Sequence, residues 1–421
     1  QAGCIRVENV NQLLDVAQLV LQQPLPAGEK VAVVGNSDSL GTLLADACDS
    51  WGLDVVHGPV SLPPNADAGR FRTALQAAFD DPRVDSVVTT FVPPLATGAR
   101  EVAGTLAEVA ARARQPVVAC FLGMGGLPSE LTAGDRVVPT YPTPEEAVRA
   151  LAAATRYGAW RRRDAGTRVD PDGCDPDGAE TVVGAVLAGS PEGRELTEQE
   201  TVQLLACYGV RLWPQRPALD PDTAAEAARD LGYPVVLKTT APHLRHRVDL
   251  GGVRLDIDTE ATLREDVLRM REQLAPLGGA DLVVQKMAGS GVACVLHTVE
   301  DPLFGPVVSF GLAGDATDLL GDVAHRIPPL TDVDVADLVR SVRAAPKLFG
   351  HRGARPVDVP ALEDLIARIS RLADDRPEIA DLVINPAVVT EQGVAVLGAV
   401  ARVAPPPGRT DAGRRELTST G

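Results

Sequence analysis

Residues 231–254 read LGYPVVLKTTAPHLRHRVDLGGVR. They place Lys238, Arg245, Arg247 and Arg254, with His243 and His246, against the one carboxylate Asp249, in a chain whose formal charge is −17. A short apolar run ends at Lys238, a polar loop follows, and Gly251-Gly252 closes it. A lysine at a strand end beside a glycine-bearing loop suits a triphosphate, because the ammonium and the backbone N–H groups together neutralise and hold its oxygens. A buried strand, PVVL, leading into a solvated hairpin has the same pattern. The stretch by itself leaves both readings open.

The background bounds the choices. At 421 residues the chain is long enough for two or three domains. Its 45% hydrophobic and 23% charged residues describe a globular protein built on Ala, Val and Leu. Acidity of this degree disfavours nucleic acid and anionic membranes as partners. Charges interrupt every apolar run well short of a membrane span, and no secretory signal heads the chain. The cysteines Cys4, Cys48, Cys120, Cys174, Cys207 and Cys294 form no CxxC and fall mostly in apolar patterns, as reduced core residues do. We therefore expect a cytoplasmic protein. The start at Gln1, inside a helix-leading segment, suggests a piece of a longer polypeptide.

Outward from the quoted stretch, the first 160 residues alternate apolar runs with helical patterns. KVAVVG (30–35), LDVV (53–56), VDSVVTTFV (84–92) and PVVACFLG (116–123) are expected strands, and helices fall between them. Continuous apolar strands separated by helices imply a parallel sheet covered on both faces. Thr143-Pro144-Glu145-Glu146 opens the last helix of this part with an N-cap, Pro at N1 and Glu at N3. Residues 164–178, rich in Asp, Gly and Pro, mark a linker, and a short helix follows near Val182–Leu187. Thr197 and Glu200 form a capping box that opens a second, α+β domain. The tail from 405 to 421 is expected to be disordered.

The blocks LTEQETVQLLACYGV (196–210), LGYPVVLKTTAPHLRHRVDLGGVRL (231–255), DPLFGPVVSFGLAGDATDLLGDVAHRIPPL (301–330), RAAPKLFGHRGARPVDV (343–359) and INPAVV (384–389) occur in one order. In that order they resemble the ATP-grasp domain of the NDP-forming acyl-CoA synthetases, relatives of succinyl-CoA synthetase. Residues 1–163 resemble the succinyl-CoA-synthetase-like CoA ligase domain of those enzymes, a flavodoxin-like parallel-sheet α/β fold. Their opening, residues 1–41, is similar to the version fused to GNAT-type lysine acetyltransferases. Residues 164–195 would then be linker and short helix, and 196–404 the ATP-grasp domain.

The resemblance implies roles. Lys238 would contact ATP phosphates, with Arg245, Arg247, Gly251 and Gly252 around them. The backbone at Gln285–Met287 would face the adenine, and Asn385 would be a magnesium ligand. His246 falls where the family has LHKSDVGG and relays a phosphoryl group between acyl phosphate, protein and nucleotide. Neutral imidazole is nucleophilic near pH 7 and, once phosphorylated, leaves readily; Asp249 would orient it. A surface histidine in a basic loop is the plainer alternative. GNSDSLG (35–41) stands where the family has a more glycine-rich, phosphate-facing turn, and a plain βα turn fits those residues equally.

Three departures weigh against catalysis. Ala293 and Gly398 stand where the family carries a Glu and an Asp, and magnesium prefers carboxylate oxygens. The NPVD segment is not evident. The second phosphohistidine loop and the nucleotide-type CoA-binding domain would belong upstream of Gln1. Two expectations follow: a degenerate regulatory module of a protein lysine acetyltransferase, binding ATP and CoA or acyl-CoA, or an active ADP-forming acyl-CoA ligase working through His246. Upstream CoA-binding and acetyltransferase domains of the same polypeptide are the expected partners, and magnesium binding is expected to be weak.

Overall fold

The computed structural model describes all residues except 94–97, 124–128, 242, 245–249, 280, 407, 409–414 and 416–421, and omits the side chains of Ser129, Asp315 and Asp318. The chain divides into two compact units, Gln1–Asp164 and Ala165–Gly421.

The first unit runs α1 (Val10–Gln22), β1 (Lys30–Gly35), α2 (Asp38–Ser50), β2 (Asp54–Ser61), α3 (Ala68–Asp80), β3 (Ser86–Phe91), α4 (Ala99–Ala110), β4 (Val117–Phe121), a two-residue hairpin β5 (Thr132–Ala133) and β6 (Arg136–Val137), and α5 (Pro144–Arg162). The strands β2-β1-β3-β4 pair in parallel, as their unbroken apolar runs require. Alternate residues serve opposite faces. Ala32, Val34, Val87 and Val117 pack with Phe71, Leu75, Val102 and Leu106. Val31, Val33, Val88 and Val118 pack with Val16, Leu19, Leu44, Val148 and Leu151. Thr143 caps α5 by accepting the Glu146 amide, with Pro144 in the first turn.

The second unit runs α6 (Pro176–Gly189), β7 (Arg194–Glu195), α7 (Glu198–Cys207), β8 (Gln215–Ala218), α8 (Pro221–Leu231), β9 (Val235–Thr239), β10 (Val253–Ile257), α9 (Glu260–Leu274), β11 (Leu282–Lys286), β12 (Val292–Asp301), β13 (Gly305–Leu312), α10 (Asp315–Leu320), β14 (Val323–Arg326), α11 (Asp332–Arg340), α12 (Val359–Asp375), β15 (Ile379–Thr390), β16 (Gly393–Val396) and β17 (Ala399–Val403). Two antiparallel sheets result. The smaller has the order β10-β9-β11-β8, the larger β14-β13-β12-β15-β17-β7, with β16 hairpinned onto β15. In the small sheet Val235, Leu237, Leu282 and Val284 pack with Ala224, Ala228, Leu263, Val267 and Met270 of α8 and α9. In the large sheet Leu296, Phe310, Leu382 and Ile384 pack with Leu204, Leu338, Leu362, Ile366 and Ile369 of α7, α11 and α12. The α+β reading of this region, and the α/β reading of the first, are what the structure contains.

Composition misleads at 164–195. The stretch is no free tether, because its polar residues are bonded to the second unit. The Val169 amide donates to the Leu330 carbonyl, and Arg168 bridges to Thr331. Arg371 pairs with Asp170 at 2.7 Å and Arg168 with Asp374 at 3.0 Å. Val183 and Val186 of α6 enter the same core as α7. Most of the tail 405–421 lies outside the described residues, but Arg415 donates to the Ile327 and Pro329 carbonyls and pairs with Asp334. Among the described residues no helix is long and apolar enough to cross a membrane. Burial pushes the thiols of Cys48 and Cys120 up to about 11 and that of Cys294 up to about 12, so these stay protonated.

The capping box at Thr197 is formed in full, and Arg194 forks onto its Glu200 at 2.7 and 2.8 Å. Arg194 first, then the Thr197 amide, hold this carboxyl down at about 2 against its ordinary 4.5. A carboxyl depressed by folding stabilises the fold above its unfolded value and loses that contribution as pH falls through the folded one. Glu200→Gln is therefore expected to lower the melting temperature at neutral pH, with the difference from wild type closing between about pH 4.5 and pH 2. Thermal melts across that range check it.

Candidate functional site

The small sheet has one face covered by α8 and α9, and the alternation of its strands decides what the other face presents. On β9, Val235 and Leu237 join the helices, so Val236 and Lys238 point away from them. On β11, Leu282 and Val284 join the helices, so Val283 and Gln285 point away. Val236 pairs with Gln285 and Lys238 with Val283, which sets the lysine and the glutamine diagonally on one face.

That face meets a turn of the large sheet. The Lys238 ammonium donates to Gln285 Oε1 at 3.0 Å and to the Leu397 carbonyl at 3.0 Å. The buried Gln285 amide donates in turn to the same Leu397 carbonyl at 3.0 Å, and to the Trp213 carbonyl and Gln215 Oε1 at 3.3 Å. Leu397 donates its own amide to the Pro386 carbonyl at 2.9 Å, and the Asn385 amide donates to the Gly398 carbonyl at 3.0 Å. Lys238, Gln285 and Asn385, named separately from sequence, thus belong to one hydrogen-bonded run between the two sheets. Trp213 adds a second tie by donating its indole N–H to the Lys286 carbonyl at 2.9 Å.

The β11 backbone offers less than expected. Gln285 lies in the ladder between Gln215 and Val236, and the Lys286 and Met287 amides already donate to the Pro214 and Pro234 carbonyls. What β11 sends toward the Leu397 turn is the Gln285 side chain, where the sequence reading had named only its backbone. The signal was there in DLVVQKM: a polar residue in phase with Val283 and out of phase with Leu282 and Val284.

The loop after β9 is anchored at both described ends. The Thr239 amide donates to the Gly252 carbonyl at 3.0 Å, and His243 Nε2 bonds the Leu277 carbonyl at 2.9 Å. Gly251 has φ +76°, and a Cβ there would lie 2.8 Å from Gln273 Nε2, so only glycine fits without strain. Arg245, His246, Arg247 and Asp249 lie outside the described residues. In the first unit, Asn36 of the GNSDSLG turn is spent as a staple. It donates to the Val92 carbonyl and accepts the Val92 amide, each at 2.8 Å. Ser37 precedes α2 without a side-chain capping bond.

The donor set for a divalent cation is thin. Ala293 pairs with Val388 across β12 and β15, and Gly398 lies beside Asn385 without a side chain. The Asp322 carboxylate is committed to the Arg343 and Ala344 amides at 2.7 and 2.9 Å. Among the described residues no three His, Cys, Asp or Glu side chains stand together as an ion would need. The described residues at this turn fit Mg²⁺ poorly, since it is usually held by one or two carboxylates.

The ATP-grasp domain family matches residues 188–403. The chain is 33% identical to the beta subunit of acetate–CoA ligase [ADP-forming] I of Pyrococcus furiosus, over 49% of this chain and 91% of that subunit. It is 31% identical to acetate–CoA ligase [ADP-forming] I of Archaeoglobus fulgidus over 94% of its own length, and spans 60% of that relative. A solved structure of the Ca. Korarchaeum cryptofilum acetyl-coenzyme A synthetase 1, in complex with coenzyme A and Ca-AMPCP, aligns with TM-score 0.49 at 29% identity. It covers 53% of this chain and 99% of that one.

A carboxylate restored at 398 tests the metal reading. A Cβ at Gly398 would stand 3.0 Å from the Asn385 carbonyl, so the turn must yield by a few tenths of an ångström. Gly398→Asp is expected to cost roughly 1–3 kcal/mol of stability from crowding and to make ATP binding depend more steeply on Mg²⁺ than in wild type. Paired melts and calorimetric titrations with and without Mg²⁺ read both effects. Steep Mg²⁺ dependence already present in wild type would show that other ligands complete the site.

Proposed function

The chain belongs to the ADP-forming acyl-CoA synthetase family through its ATP-grasp domain, and from that premise we propose that its second unit binds ATP as a regulatory module with its catalytic apparatus reduced. Lys238 takes the phosphates, Gly251 and Gly252 let the loop backbone come close to them, and Arg245 and Arg247 add charge. Gln285 and Met287 lie beside the adenine side of the cleft, and Asn385 is the residue nearest in kind to a metal ligand. Residues 1–163 act as the CoA ligase domain and 196–404 as the ATP-grasp domain, with CoA or acyl-CoA as the second small-molecule ligand. The chain would work beside upstream CoA-binding and acetyltransferase domains, turning nucleotide and acyl-CoA occupancy into control of lysine acetylation.

The observation that carries this reading is the run from Lys238 through Leu397 to Asn385, with Ala293 and Gly398 where acids are expected. The two printed contacts of the Lys238 amine are to an amide oxygen and a main-chain carbonyl, which orient the cation toward this turn. The same run without carboxylates supplies binding more readily than phosphoryl transfer, which relies on positioning and on neutralised oxygens. A second reading, an active ligase relaying phosphate through His246 with Asp249 orienting it, is favoured by the ligase names of the relatives.

Lys238→Ala removes a charged hydrogen bond worth roughly 1.5–3 kcal/mol. ATP affinity is therefore expected to fall by about one to two orders of magnitude. Calorimetric titration of the two proteins decides it, and equal affinities would sink the phosphate assignment. For the choice between readings, the chain is expected to make no acyl-CoA from acid, CoA and ATP. Any acid-labile label from γ-phosphate should disappear in His246→Ala. Brisk acyl-CoA formation would establish the ligase reading in place of the regulatory one.

A further inference from the structure

We infer that Cys174 and Cys207 are a redox-controlled staple: a disulfide between them, closed by a small-molecule disulfide and opened by a small thiol, fastens the stretch before α6 to the end of α7. Both thiols are free, half-buried and packed against the core of the large sheet. Neither residue belongs to the cleft around Lys238, so the staple stands whether or not ATP binds there.

The backbone brings the two residues together. The Asp175 amide donates to the Cys207 carbonyl at 2.6 Å. Standard bond lengths on either side of that contact keep the Cα atoms of Cys174 and Cys207 within about 7 Å. Disulfides span Cα separations of about 4.4–6.8 Å. Arg368 Nη1 donates to the Asp172 and Tyr208 carbonyls, each at 3.1 Å, so the two segments run side by side rather than meeting at one point. In the reduced chain Cys207 Sγ donates to the Gln203 carbonyl at 3.3 Å. A Cβ at Gly178, in the first turn of α6, would lie 3.3 Å from that sulfur. The sulfur therefore already faces the turn that Cys174 leads into, and the glycine leaves it room to swing. Closing the bond takes a rotation about Cα–Cβ and gives up one weak S–H donor.

The surroundings divide the roles. Burial raises both thiols. At Cys174 the guanidinium groups of Arg368 and Arg371 oppose the rise, ahead of the Asp170 and Asp375 carboxylates that add to it. At Cys207 the Asp175 carboxylate adds to it. Cys174 is thus the attacking thiol. As a thiolate it displaces one half of glutathione disulfide, forming a mixed disulfide and releasing one glutathione thiolate. Cys207, once deprotonated, attacks the Cys174 sulfur and releases the second. Two electrons and the two cysteine protons end on two glutathione thiols.

Peptide mapping of the folded full chain tests the staple. Trypsin cleavage after Arg168, Arg194 and Arg211 puts Cys174 and Cys207 on separate peptides, 169–194 and 195–211, with no other cysteine on either. The protein is incubated with excess glutathione disulfide, blocked with N-ethylmaleimide and digested without reductant. The expected product is the linked pair of these peptides, from monomeric protein, and it disappears after dithiothreitol. Oxidised wild type should melt roughly 5–10 °C above reduced wild type. Cys174→Ser and Cys207→Ser should show neither the link nor the shift. Two thiols left unmodified or capped singly by glutathione would overturn the inference. So would a link that forms only in denaturant or joins Cys4 instead, or one that leaves the melting temperature unchanged or lower. If the serine variants do not fold, the wild-type map and melts decide by themselves. The assay contains no nucleotide, so its outcome is separate from that of the ATP titrations.

Discussion

A lysine ammonium that donates to an oxygen of each sheet region ties the second unit together. Lys238 stands on one sheet and the Leu397 carbonyl on the other, 3.0 Å apart, with the Gln285 amide closing the triangle. Charge-assisted bonds of this kind are stronger than neutral ones, yet neither acceptor removes the positive charge. The two sheets, each with its own helical layer, are therefore tied at this lysine. Around this tie the surrounding bonds make sense: Trp213 to Lys286, Leu397 to Pro386, and Asn385 to Gly398.

The tie itself uses no carboxylate. Ala293 and Gly398 are ordinary members of a ladder and a turn. Phosphoryl transfer asks for charge at a metal, whereas holding a phosphate asks only for donors.

Much of the fold was legible because its signals were local. Unbroken runs such as KVAVVG and SVVTTF mark strands buried on both faces, and the structure pairs them in parallel as β1 and β3. Thr143 and Thr197 announce helix starts through oxygens that accept amides three residues on, and both caps form. Less legible were contacts made across long separations. Nothing in DAGTRVDPDGCDPDG tells that Val169 will bond Leu330 or that Asp170 will meet Arg371, since polar loop composition is the same for a tether and a docked strand. The site divides along the same line. Lys238 could be read from its strand and loop, and Gln285 was named for its backbone, whereas the bonds of the Gln285 side chain became visible only once strand phase set it opposite Leu397.

Trp213 gives the cleft a native optical reporter. The chain has three tryptophans, Trp51, Trp160 and Trp213, and the last alone belongs to the second unit. Its indole N–H is bound to the carbonyl that follows Gln285, and its own carbonyl accepts from that glutamine. With Trp51 and Trp160 replaced by phenylalanine, the remaining emission arises from a fluorophore wired into the junction between the two sheets. Its wavelength and quenching then follow hydration of that junction in real time, without a dye or a label.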